Sequence, residues 1–231
     1  MRFAAFETST EWCSVAVWRD GEIAALERRA GQRHSELVLP LLEQVLASWK
    51  MSLSQIDAVA FGAGPGAFTG LRIACGLAQG LALARGLPLI GISTLAALAQ
   101  ESGAARVVAC IDARMREVYY AALEKRAGRW HEVIGAQCVA PQSAPRPPGE
   151  GWVGCGNGFE VYGEVLKAKV SIMKPAVHPS AVAVAQLAAP RLAAGEGVDA
   201  ALAAPVYLRD KVAFTKEELE VFVLCLCCDI V

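Results

Sequence analysis

Hydrophobic and polar positions alternate over the first thirty residues and then change period. Residues 2–8 are mostly apolar, and Ser9-Thr10-Glu11 breaks the run. Residues 13–19 then alternate, with Cys13, Val15 and Val17 set against Ser14, Ala16 and Trp18. Asp20-Gly21 separates this run from residues 22–29. A two-residue Asp-Gly between extended runs is the strongest short hairpin signal. The chain is thus predicted to open with three antiparallel strands. From residue 34 to residue 49 the period becomes 3.6, with Leu37, Val38, Leu41, Leu42, Val45, Leu46 and Trp49 on one stripe of a helix. Pro40 lies on the other side, near Glu36, Glu43 and Gln44. It removes a hydrogen bond to the Glu36 carbonyl, which predicts a kink.

The pattern then alternates short apolar runs with helices. Residues 58–62 read as a buried strand, 62–70 as a Gly-rich turn, 69–84 as a helix and 88–92 as a strand. Ser93 or Thr94 caps a short helix over 95–100. Three antiparallel strands followed by alternating helices and strands imply a mixed sheet with helices on its faces. A second unit starts near Arg106. Its predicted elements are a strand at 107–111, a pair at 117–124 and 130–139, and a strand at 152–155 before Gly154-Cys-Gly-Asn-Gly158. Helices follow at 159–166 and 180–194, and a last short strand at 206–208. Residues 141–151 are too Pro-rich for regular structure. The expected organisation is a first lobe at 1–103, a smaller second lobe at 104–213 whose last helix and strand can pack back on the first, and a tail at 214–231.

The helix at 69–84 differs from its neighbours. Small residues recur at spacing four, as Gly70, Ala74, Ala78 and as Gly76, Gly80, Ala84, and the only polar stripe is Arg72 with Gln79. A helix apolar nearly all round is buried on more than one side. Its own sheet supplies one cover. The second is either the 34–49 helix or a partner, which small residues allow to come close.

Composition sharpens this. The chain has 231 residues, is 55% hydrophobic and has a mean hydropathy of +0.38, part of which is its 42 Ala. Its longest uncharged stretches, 58–71, 86–100 and 175–190, all contain Gly or Pro, so no spanning helix is expected. Glu7 and Glu11 interrupt any signal-peptide core, and a cytosolic chain is expected. Lys and Arg total 22 against 23 Asp and Glu, and neither half is basic. A protein that grips nucleic acid alone shows a basic footprint, which is lacking here. Five of the eight Cys are isolated and read as buried free thiols; Cys225, Cys227 and Cys228 cluster at the tail.

Candidate chemistry is sparse. The 62–70 segment lacks the Gly-Lys-Ser/Thr ending of a P-loop and reads as a phosphate cradle or, more simply, a tight turn. Asp112 ends a strand beside Arg114 and Arg116; it suits either a metal-bound phosphate or an ion pair. His34 has Val38 four residues on, so no His-x-x-x-His metal face exists. No Gly-x-Ser-x-Gly elbow and no nucleophile with a matching base support a peptidase.

A set of motifs is more specific. These are Phe6-Glu-Thr-Ser-Thr10, Arg33-His-Ser-Glu-Leu-Val-Leu-Pro40, Gly62-Ala-Gly-Pro-Gly-Ala-Phe-Thr-Gly-Leu-Arg-Ile73, Ile111-Asp-Ala-Arg114 with Glu117-Val-Tyr119, and Pro205-Val-Tyr-Leu-Arg209. Over about residues 2–213 the chain resembles the bacterial TsaB (YeaZ) family, glycoprotease-like accessory subunits of the tRNA threonylcarbamoyladenosine machinery. The resemblance implies an α/β fold of the actin, heat-shock-chaperone and sugar-kinase (ASKHA) type, with two ribonuclease-H-like lobes and mixed sheets. It implies a non-catalytic subunit that partners the catalytic paralogue TsaD, which transfers threonylcarbamoyl to the tRNA adenosine beside the anticodon. A TsaE-type ATPase joins the assembly, the subunit forms homodimers when alone, and tRNA is met only through the complex. No cofactor or metal is implied for this subunit. The partner contact maps onto His34, Glu36, Leu37 and Leu41 of the first helix and Gly70, Arg72, Ala74, Gly76, Leu77 and Gly80 of the second. Thr8, Ser9 and Asp112 form a weak candidate nucleotide set, which is the basis of an alternative, a stand-alone ATP-binding enzyme. Glu7 departs from the family's usual Asp, and a longer acid crowds such a nucleotide site. The tail at 221–231 has no counterpart in the family.

Overall fold

The computed structural model describes residues 1–209. The first sheet has the order β3-β2-β1-β4-β5. Its strands are β1 (Arg2–Glu7), β2 (Trp12–Arg19), β3 (Glu22–Arg29), β4 (Ala58–Gly64) and β5 (Leu89–Ser93). The first three form an antiparallel meander, and β1, β4 and β5 run parallel. The expected Asp-Gly hairpin is present, with Asp20 and Gly21 at φ of 50° and 102°. Helices α1 (His34–Ser48) and α2 (Phe68–Leu83) cover one face. Helix α1 continues past Pro40, which is exposed.

Strand β1 shows why the opening run is apolar throughout. Ala4 and Phe6 point to the face under α1 and α2, while Phe3 and Ala5 point to the other. Side chains alternate across a strand, so a strand covered on both sides has no polar positions to spare. The second cover is α5 (Ala181–Ala193), which arrives late in the chain. Its Ala181, Ala183, Ala185 and Ala188 are fully buried against Phe3, Ala60 and Ile90. Ten of the 42 Ala lie in this close-packed seam.

The second sheet comprises β6 (Arg106–Arg114), β7 (Glu117–Arg126), β8 (Arg129–Val139), β9 (Val153–Cys155) and β10 (Ile172–Lys174). Its order is β10-β9-β6-β7-β8. Read from the other edge, it repeats the first sheet: an antiparallel three-strand meander, then two parallel strands. Helix α3 (Thr94–Glu101) packs on one face through Leu95 and Leu98, and α4 (Gly158–Leu166) on the other through Phe159 and Leu166. The ribonuclease-H-like topology thus occurs twice, as expected.

Two details differ from the sequence reading. Strand β10 was not foreseen; it is three exposed residues long. Residues 206–208 do not form a strand. They belong to an extended strap, and Val206 makes a backbone bond to Ala63 (N–H to C=O, 2.7 Å). No helix of the described residues is long and apolar enough to cross a membrane. The cysteine cluster at the tail lies outside the described residues.

Candidate functional site

Equivalent strand ends of the two lobes face one cleft of about 890 Å³. From the first lobe come Ser9, Thr10, His34 and the turn Gly66–Leu71; from the second come Asp112–Met115 and Asn157; the strap adds Val206, Tyr207 and Arg209.

The Gly-rich turn is shaped by its own chain. A Cβ at Gly70 would lie 1.9 Å from the Thr8 carbonyl oxygen, and one at Gly66 2.6 Å from the Ser9 Cβ. The glycines let α2 begin directly against the β1–β2 turn. Thr8 locks that contact, its Oγ1 donating to the Gly70 carbonyl at 2.7 Å. Thr8 is fully buried and does not reach the cleft; of the candidate nucleotide set, only Ser9 and Asp112 line it. Glu7 is also fully buried, its Oε1 accepting the Ser9 N–H at 2.7 Å. Burial pushes its carboxyl pKa up, against the opposing pull of hydrogen bonds from Ser9.

Asp112 sits at the matching strand end of the second lobe. Its Oδ1 accepts the Arg114 N–H at 2.9 Å, and its Oδ2 lies 3.3 Å from the Arg114 guanidinium. Its own N–H donates to Asn157 Oδ1 at 2.9 Å. Asp112 thus makes the ion pair with Arg114. Three consecutive residues, Arg114, Met115 and Arg116, have φ of 61°, 54° and 59°. Left-handed backbone is unfavourable for side chains with a Cβ. Arg209 holds this turn, its guanidinium donating to the carbonyls of Ala113 and Arg114 and to the Glu117 carboxylate. The sequence carried Arg209 in a motif but gave it no role, because its partners are about a hundred residues away.

The candidate partner residues divide. Glu36, Arg72, Gly76 and Gly80 are exposed, and Leu37 and Leu77 are half-buried. His34, Leu41, Gly70 and Ala74 are buried within the chain. Leu41 and Ala74 belong to the first core, so these two do not present a surface to a partner. Helical periodicity locates an apolar stripe but does not orient a helix that is apolar all round.

Helix α2 has two covers, its sheet and the strap. Gln79 Nε2 donates to the carbonyls of Ala200 and Ala203 at 3.2 and 2.9 Å. Arg72 stacks on Phe68 at 3.7 Å and donates to the Tyr207 hydroxyl at 3.1 Å. Beyond the strap an open face remains, with Gly76 and Gly80, where an added Cβ would meet nothing within 4 Å, and Leu83, 71% exposed. Among the described residues, no three His, Cys, Asp or Glu side chains come together as a metal-ligand group.

Two mixed sheets of one topology, facing each other across a cleft at their strand ends, define a two-lobed α/β protein of the ASKHA class. The family model for TsaD, tRNA N6-adenosine threonylcarbamoyltransferase, matches residues 27–220. The chain is 39% identical to the tRNA threonylcarbamoyladenosine biosynthesis protein TsaB of Escherichia coli K12, over 94% of this chain and 98% of that one. It is 36% identical to the Haemophilus influenzae protein of the same name, over 92% and 95%. The structure of YeaZ from Pseudomonas aeruginosa superposes with a TM-score of 0.85 at 39% identity, covering 90% of this chain and 99% of that one. The chain belongs to the TsaB (YeaZ) family.

Proposed function

We propose that this chain acts in tRNA threonylcarbamoyladenosine biosynthesis as the non-catalytic subunit that binds and supports a TsaD-type paralogue. The observation that carries this reading is the open face of α2. Gly76 and Gly80 sit on it at i and i+4, where nothing in the chain requires a glycine. Glycine in a helix interior costs about 1 kcal/mol relative to alanine, and the gain in return is close approach by another helix. Leu83, 71% exposed one turn beyond Gly80, gives that face an apolar character. Glu36 and Arg72 provide charged positions at its rim.

In this reading the subunit forms a homodimer through the same face when alone. A TsaE-type ATPase joins the assembled pair, tRNA is met through the complex, and the complex is cytoplasmic. Size-exclusion chromatography of the chain with and without the paralogue tests the reading. A stable co-eluting complex at micromolar concentration is expected, and two separate peaks overturn it.

The cleft favours one second reading, a stand-alone ATP-binding enzyme, because Ser9 and Asp112 line it from opposite lobes. Calorimetry with ATP and magnesium decides between the two. Tight binding that is lost on Asp112→Ala supports the enzyme.

A further inference from the structure

A second cavity, of about 430 Å³, shares no residue with the cleft. The tip of the β7–β8 hairpin forms one wall, and α3 and α5 form the other. Arg126 and Arg129 pair across a two-residue turn, Ala127-Gly128, with φ of 48° and 78°. Both values are left-handed, as the tightest hairpin turns require. The tip stands at the far end of β6 and β7 from the Asp112 turn, since Glu124 pairs with Arg106 and Val118 with Asp112. Its side chains therefore meet the first lobe where the cleft does not reach.

The walls combine apolar surface with converging charge. Ile92, Ala96, Leu187 and Pro190 supply the first, and Trp130 adds an aromatic ring. The indole is fixed in place. Its Nε1–H donates to Gln100 Oε1 at 2.9 Å, and Gln100 Nε2 donates in turn to Gln186 Oε1 at 2.7 Å. Lys125, opposite Trp130 on the hairpin, donates to the same Gln100 oxygen at 3.0 Å. Three cations, Lys125, Arg129 and Arg191, thus border one opening. Among the described residues Glu196 is the only acid lining it, and Glu196 accepts from Arg191 Nε at 2.7 Å. Glu124, beside the tip, is held by Arg106 and Arg126. The Arg129 guanidinium has no hydrogen-bond or ion-pair partner among the described residues. Like charges gathered at one opening repel, in a chain whose net charge is -1. An anion offsets that repulsion.

We propose that this cavity binds a small organic anion, a flat apolar body carrying one carboxylate or phosphate, with the body against Trp130 and the charged end on Arg129. Sites for small molecules have apolar walls with a few convergent polar groups and measure about 300–1,000 Å³. This cavity meets both conditions. The planar fork of an arginine matches a carboxylate or phosphate. A cation would meet three positive groups and no unpaired acid. A strand of nucleic acid follows basic groups laid out along a groove, whereas here they converge on one opening. A bound ligand touches the hairpin of the second sheet and the α5 cover of the first, and so bridges the lobes away from the cleft. The site is independent of the partner reading, since a chain that failed to bind the paralogue would still take the anion.

The test is fluorine NMR of the full chain labelled with fluorotryptophan, the Trp130 signal being assigned by its loss in Trp130→Phe. Phenyl phosphate, benzoate, benzyl alcohol and inorganic phosphate are titrated separately. The expected result is saturable movement of the Trp130 signal with phenyl phosphate or benzoate, and binding of benzyl alcohol and of inorganic phosphate at least about tenfold weaker. Arg129→Gln should weaken the aromatic anion about tenfold. Arg129 is exposed, so this variant keeps the fold, which thermal melting checks. A stronger response to phenyl phosphate assigns a phosphate end, and a stronger response to benzoate a carboxylate. Both outcomes support the site. Three results overturn it: no saturable shift of Trp130 up to roughly 10 mM, a neutral or non-aromatic probe that binds as well as the aromatic anions, or an affinity that Arg129→Gln leaves unchanged.

Discussion

The Glu7 carboxylate fills the space that a side chain at Gly62 would need. A Cβ built on Gly62 lies 1.9 Å from Glu7 Oε2. The two residues sit on neighbouring parallel strands, β1 and β4. The acid that departs from the family's usual Asp is therefore accommodated inside the first lobe and does not line the cleft. Gly62→Ala is expected to destabilise the fold by about 1–3 kcal/mol, as overpacking does. Glu7→Asp shortens the acid by one methylene and should recover part of that loss. A double-mutant cycle by chemical denaturation measures the coupling. Additive effects would mean that the two sites do not compete for space.

The same burial makes stability depend on pH. Glu7 has a folded pKa above its ordinary 4.5. Above that value the folded state holds more protons than the unfolded chain, so stability falls as pH rises toward the folded pKa. His34 works in the opposite direction. Burial lowers its pKa below 6.5, outweighing the Thr10 carbonyl that raises it, so its stabilising contribution is lost as pH drops below 6.5. Melting temperatures of the parent and of Glu7→Gln and His34→Gln, measured from pH 5 to pH 8, separate the two. The Glu7→Gln advantage should widen toward high pH, and the His34→Gln advantage toward low pH. Parallel profiles would remove both assignments.

Arg209 carries a third prediction. Its guanidinium ties the strap to the left-handed turn at Arg114, Met115 and Arg116. Arg209→Ala leaves the carbonyls of Ala113 and Arg114 without this donor and Glu117 without its ion-pair partner. A loss of about 2–3 kcal/mol is expected, in the range of hydrogen bonds to charged groups. Limited proteolysis should then cut at Arg114 or Arg116, which are exposed trypsin sites. Unchanged protection of this turn would show that it holds itself.

Much of the first lobe was legible because its signals are local. Asp20-Gly21 marks the hairpin, and the Leu37–Trp49 stripe marks α1 within one helical period. The second lobe was harder at its edge. Ile172, Met173 and Lys174 are all exposed, so no burial pattern announces β10. Residues 206–208 have strand-like side chains, but strand identity depends on a neighbour's free edge, and the backbone bond from Val206 to a strand reaches Ala63, near the end of β4. The cleft was legible as motifs, not as geometry. Of the candidate nucleotide set Thr8, Ser9 and Asp112, the last two line the cleft, whereas Thr8 is turned inward by its bond to Gly70.

Helix α2 gives the sharpest contrast between two small residues. Ala74 and Gly76 are two positions apart, so they lie on opposite sides of the helix. Ala74 is fully buried in the first core, while Gly76 opens to empty space. Ala74→Glu is expected to unfold the subunit, because it buries a charge without a partner. Gly76→Glu should leave the melting temperature unchanged or slightly raised, since any residue with a Cβ is a better helix former than glycine at an open site. It should nevertheless abolish co-elution with the TsaD-type paralogue, because the side chain occupies the space a close helix would take. Gly76→Ala adds only a methyl and serves as the graded control, weakening the complex without eliminating it. If Gly76→Glu binds as well as the parent, the close contact lies elsewhere and the open face of α2 is not the docking surface.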